Sequence, residues 1–115
     1  DRFFTNHPHP PIDQVKHYCG VKWKNYFKFA FTRNPFDIAV SRYHWDIKGK
    51  GNKSTSKEGF NEWVKTYNST SWQDEQWRYI YVNGKNELDF IGKYENLNQD
   101  YNIICNKIGI DPPGL

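Results

Sequence analysis

From Phe29 to Trp45 the chain reads FAFTRNPFDIAVSRYHW, and the residues there best equipped for chemistry are Arg33 and Ser41. An apolar run breaks at Thr32-Arg33-Asn34-Pro35 and restarts at once with helical spacing. A strand that turns straight into a helix leaves unpaired backbone N–H groups at the helix start, where the peptide dipoles add partial positive charge. That is an anion site, and Arg33 adds a planar fork of donors suited to phosphate. Ser41 follows eight residues on and is not aligned with Arg33 by helix geometry alone. An arginine still in the loop can swing to meet it, so that one phosphate touches both. The residues alone leave a second reading open, in which Arg33 pairs with Asp37 and Ser41 is an exposed helix serine.

The elements around this seam follow from pattern. Pro11 opens a short helix through Tyr18, with Ile12, Val15 and Cys19 on one face and Gly20 as its stop. Phe27 to Phe31 reads as a buried strand, and from Pro35 the residues Phe36, Ala39, Val40, Tyr43 and Ile47 recur at helical spacing. Lys48 to Ser56 is a polar, Gly-rich loop. Thr55 with Glu58 resembles a capping box, opening a helix that carries Phe60, Trp63, Val64 and Tyr67. Trp72 to Trp77 reads as one or two helical turns. Tyr79–Val82, Asn83-Gly84 and Leu88–Gly92 form a strand, a turn and a strand. A last helix, Leu97 to Ile108, buries Leu97, Tyr101, Ile104, Cys105 and Ile108 and stops at Gly109. Strands alternating with helices predict an α/β fold whose sheet is mainly parallel and flanked by helices.

Composition narrows the function classes. At 115 residues the chain is one domain at most, and its 18% aromatic content argues against disorder. A net charge of +3 leans towards anionic partners but is not that of a protein that coats nucleic acid. Lys48, Lys50 and Lys53 form a solvated loop cluster. Cys19 and Cys105 lack any CxxC or zinc spacing and read as buried free thiols, so no metal is expected. No run approaches the roughly 18 apolar residues of a membrane span, and no stretch reads as a signal peptide. Asn52-Lys53-Ser54 and Asn68-Ser69-Thr70 fit the glycosylation acceptor pattern, which is too common in Asn-rich chains to decide a compartment. The chain has no methionine, opens on Asp1 and stops at Pro112-Pro113-Gly114-Leu115, so a piece of something larger is expected.

FKFAFTRNPFDIAVSRYHW (27–45) resembles the 3′-phosphate-binding segment of sulfotransferases that use 3′-phosphoadenosine 5′-phosphosulfate (PAPS). DFIGKYENLNQDYNIICNKIGI (89–110) resembles their later strand-turn-helix, and the likeness runs more loosely from His9 to Ile110. In spacing and style it is most similar to the carbohydrate sulfotransferase branch. The resemblance implies a P-loop nucleotide-kinase-like sulfotransferase fold, with PAPS as co-substrate and a carbohydrate or other hydroxyl as acceptor. It implies Arg33 and Ser41 as ligands of the cofactor's 3′-phosphate, and Tyr94 at the adenine ring, where the alternative is a strand tyrosine in the core. Glu95 holds the local turn. By register His9 matches the base that takes the acceptor's proton, with His7 next, although NHPHPP is also an ordinary polar turn. His17 reads as a helix-face residue and His44 as structural. Trp45, Trp72 and Trp77 offer flat rings to a sugar, but a small domain must also bury its aromatics, and core is the reading preferred.

Two departures matter. The Pro/Lys/Gly/Thr/Ser loop that cradles the 5′-phosphosulfate has no counterpart, and the C-terminal closing segment is also unmatched. Ile38 stands where arginine is common. Residues 1–115 are therefore expected to form a single partial domain, the 3′-phosphate half, prone to self-association and of doubtful activity alone. A rival from another class is a non-catalytic module that holds a glycan or polyanion. A third, a P-loop nucleotide kinase, should display a Walker loop and does not. Cytoplasmic placement would follow for a bacterial or viral member, and the Golgi lumen for a eukaryotic one. No nucleic-acid partner or membrane segment is expected.

Overall fold

The computed structural model describes residues 9–49, 51, 55–67 and 76–114, so His7, Trp72, Lys50, Lys53 and both glycosylation triplets lie outside the described residues. The chain divides into two compact units, one from Asp1–Thr32 with Glu75–Leu115, the other Arg33–Asp74.

In the first unit, helix α1 (Ile12–Cys19) is stopped by Gly20 at φ +54, whose N–H donates to the Lys16 carbonyl. A 3-10 turn, Gly20–Asn25, then carries Trp23 inward. Ile12, Trp23 and Val82 form the core, with Val15, Cys19 and Leu88 packed around them. Val82 comes from a hairpin, β2 (Tyr81–Val82) against β3 (Lys85–Asn86), whose antiparallel register closes at Asn83-Gly84. Both turn residues have positive φ, 50° and 75°, as a type I′ turn requires. Glu87 ties this hairpin to α1 and the 3-10 turn. Its Oε1 accepts from Lys16 Nζ at 2.8 Å and its Oε2 from Trp23 Nε1 at 3.0 Å.

β1 (Phe29–Thr32) pairs in parallel with β4 (Phe90–Lys93), in the register Phe29↔Phe90 to Thr32↔Lys93. Asp89 sets that register: its Oδ2 accepts from the Lys28 N–H at 2.7 Å, and its own N–H donates to the Lys28 carbonyl at 2.8 Å. Gly92 is buried under the Phe31 ring, which a Cβ there would meet at 2.5 Å. Helix α4 (Leu97–Ile108) packs on β4 and buries Ile104 and Cys105 almost completely, at 1% exposure each. Gly109, left-handed at φ 78°, ends it as expected, and the Ile110 N–H returns to the Cys105 carbonyl at 3.0 Å.

The second unit is two helices. α2 (Pro35–Gly49) is entered through Asn34, whose Oδ1 accepts from the Phe36 N–H at 2.9 Å. α3 (Lys57–Thr66) packs on it around Tyr43, whose ring lies 5.5 Å from that of Phe60 and 5.6 Å from that of Trp63.

The parallel strand pair and flanking helices agree with the α/β expectation. Several details do not. The hairpin partner of Tyr81–Val82 is Lys85–Asn86, and Leu88–Gly92 does not fold back on it. α2 runs on to Gly49, into the stretch expected to be loop. The cap of α3 is Ser56, whose Oγ accepts from the Gly59 N–H at 2.9 Å, one residue after the expected Thr55. The strand at 27–31 begins two residues later and is only half-buried. Phe36 and Val40 on α2 and Ile108 on α4 are exposed. Cys19 and Cys105 are both free thiols, Cys19 half-buried. Among the described residues no helix is long and apolar enough to cross a membrane.

Candidate functional site

Where β1 ends, Arg33 and Asn34 carry the chain into α2, and Pro35 fixes the first helical turn. Arg33 is half-buried, with its Nε out of contact with solvent. It lines a cavity of about 260 Å³ together with Ile38, Ser41, Arg42 and Trp45. Positions 38, 41, 42 and 45 stand at i, i+3, i+4 and i+7 and so share one face of α2. An adjoining face buries Ala39 and Tyr43. Arg33 and Ser41 are therefore brought to one cavity, with Arg33 at the helix start and Ser41 exposed on the helix face.

One residue of that face was missed from the sequence and another was misplaced. Arg42 went unnoticed, and Trp45, expected in the core, is 73% exposed and belongs to the cavity wall. The i, i+3, i+4, i+7 stripe from Ile38 to Trp45 was the signal that could have found both. Arg42 Nε lies 3.4 Å from Asp46 Oδ1, and Asp46 Oδ2 accepts from Trp63 Nε1 at 3.1 Å. Two guanidinium groups and a hydroxyl line the cavity, a donor set that favours an anion and suits a phosphate.

The remaining described candidates, His44 apart, sit in the first unit. His9 is exposed, and its carbonyl accepts from Tyr79 Oη at 3.3 Å. Tyr94 is 49% exposed, so it is not a core tyrosine, and it lines a shallow cavity with Glu95 and Leu97. His17 and His44 are exposed, with the His44 ring 5.6 Å from that of Tyr43. Trp77 is 50% exposed. A cavity of about 350 Å³ beside Trp23 is mainly apolar. Its one charged wall residue, Lys28, is engaged by the Tyr26 carbonyl at 2.8 Å and Asp89 at 3.2 Å. It lacks the convergent polar groups that a reaction requires. Among the described residues no group of three or more His, Cys, Asp or Glu could hold a metal.

A parallel strand that feeds an arginine-bearing turn and a helix makes the chain an α/β protein with a cationic cavity on that helix. The family follows from comparison: residues 4–113 match the model of the Sulfotransferase family, and the chain belongs to that family. It is also 34% identical over 104 residues to an uncharacterized protein of Archaeoglobus fulgidus, a match covering 87% of this chain and 82% of that relative. No solved structure matches it significantly. The family generally takes sulfate from PAPS, and the donor set around Arg33 and Ser41 is of a kind that fits the 3′-phosphate of that donor.

Proposed function

We propose that this chain is the nucleotide-holding part of a sulfotransferase that moves the sulfuryl group of PAPS to a hydroxyl of a carbohydrate. Arg33 and Ser41 hold the 3′-phosphate. The observation that carries this reading is the one cavity on the face of α2 that Arg33 and Ser41 share. Tyr94 lies against the adenine. When bound, PAPS supplies an activated sulfur. The acceptor oxygen bonds to that sulfur, the bond from sulfur to the bridging phosphate oxygen breaks, and adenosine 3′,5′-bisphosphate leaves. His9 accepts the proton that the acceptor hydroxyl gives up. The carbohydrate assignment is supported by the likeness of residues 27–45 to the carbohydrate branch. It is also supported by the exposed ring of Trp77, since aromatic faces suit sugar faces.

Calorimetric titration with two nucleotides tests the reading. Adenosine 3′,5′-bisphosphate should bind more tightly than adenosine 5′-monophosphate by roughly ten- to a hundredfold, the usual worth of a charge-assisted hydrogen bond. Equal affinities would overturn it.

A further inference from the structure

The cavity that brings Arg33 and Ser41 together has a second guanidinium in its wall. Arg42 keeps 55% of its side chain exposed, and Asp46 engages it along its Nε edge at 3.4 Å. Asp46 is held in turn by the Trp63 indole N–H at 3.1 Å, a hydrogen bond from α3. Gripped by that edge, the guanidinium still has its two terminal nitrogens to present, the parallel pair that suits phosphate oxygens.

We propose that Arg42 is the second cation of this anion site and shares the 3′-phosphate with Arg33 and Ser41. The inference rests on the reading of Arg33 and Ser41 given above. A phosphomonoester carries about −1.5 to −2 charges at neutral pH. Arg33 alone offers a single positive charge. Arg42 adds positive charge and two further donors on the same wall. Asp46 subtracts charge, but it sits behind the guanidinium, farther from a ligand on the terminal nitrogens than Arg42 is. Its contribution is to restrict a long side chain before the ligand arrives, which lowers the ordering cost of binding.

Calorimetric titration of the chain with adenosine 3′,5′-bisphosphate and adenosine 5′-monophosphate tests this, comparing wild type with Arg42→Gln and Arg42→Lys. Arg42→Gln is expected to lose roughly ten- to a hundredfold in affinity for the bisphosphate and to bind the monophosphate unchanged. Arg42→Lys keeps the charge without the fork and should recover part of the loss. Thermal melts confirm that each variant is folded, and if Arg42→Gln is not, Arg42→Lys decides alone. A wild type that prefers the bisphosphate, with that preference intact in the folded variant, overturns the role of Arg42 and leaves Arg33 and Ser41 standing. A wild type with no preference overturns both. An equal loss for the two nucleotides also overturns it, because Arg42 would then serve some other part of the nucleotide.

Discussion

Arg33 and His9 should leave opposite signatures when removed, and the difference separates an enzyme from a binding module. Arg33 lines the anion cavity, so Arg33→Ala should weaken adenosine 3′,5′-bisphosphate by roughly ten- to a hundredfold. His9 does not line that cavity, and as a base it matters only when a hydroxyl attacks sulfur. His9→Ala should therefore cut turnover by about a hundredfold or more while leaving bisphosphate affinity alone. Undiminished transfer without His9 would move the base elsewhere, with His7 next in line. A protein that binds PAPS and sulfates no sugar hydroxyl would favour the glycan- or polyanion-holding module instead.

The elements of the first unit are stitched by two carboxylates, and this makes their stability depend on acid. The hydrogen bond from Lys16 holds the Glu87 carboxyl below its ordinary 4.5, helped by Trp23 and opposed by partial desolvation. The backbone N–H of Lys28, and then its ammonium group, hold Asp89 below 3.8. A carboxylate depressed in the folded state stabilises it above the unfolded pKa and loses that contribution as pH falls through the folded one. The loss should begin near pH 4.5 for Glu87 and near 3.8 for Asp89 and continue below. Melting temperature followed into acid should fall more steeply for wild type than for Glu87→Gln, which starts lower. Parallel curves would mean that the Glu87 contacts contribute nothing measurable. These same residues mark where sequence reading stops. Pro35, Gly20 and Gly109 announce helix ends through their own backbone chemistry, so α1, α2 and α4 were legible. The seam at Arg33 was legible for the same reason. An Asn-Gly turn specifies only the hairpin it closes, and it says nothing of where the next strand goes. β4 finds β1 through the pair Lys28 and Asp89, 61 positions apart, a distance at which no local pattern speaks. Trp45 was misread because aromatic bulk predicts burial in general, while its position on the Ile38–Trp45 stripe placed it on the cavity side.

For the molecule as a whole, the parallel pair β1–β4 is the feature with the widest consequence. Parallel sheets ordinarily lie inside a protein with both faces covered. Here Phe29 is 45% and Ile91 36% exposed, and among the described residues no further strand pairs with either outer edge. An apolar strand with unpaired N–H and C=O groups is a template for another strand. The chain is therefore expected to self-associate, covering the open edge with a second copy, and sedimentation velocity over a range of concentrations should show the association rising. Ile91→Lys places a charge at an exposed strand position, one of the devices by which natural sheets discourage edge pairing. It leaves Gly92 under Phe31, and with it the packing of the buried face. The variant should be more monomeric than wild type at equal concentration while still binding the bisphosphate, since the cavity on α2 is built wholly from residues 33–45. A wild type that stays monomeric at every concentration and melts in one cooperative transition would show that two strands suffice and that the exposed edge is not a docking surface.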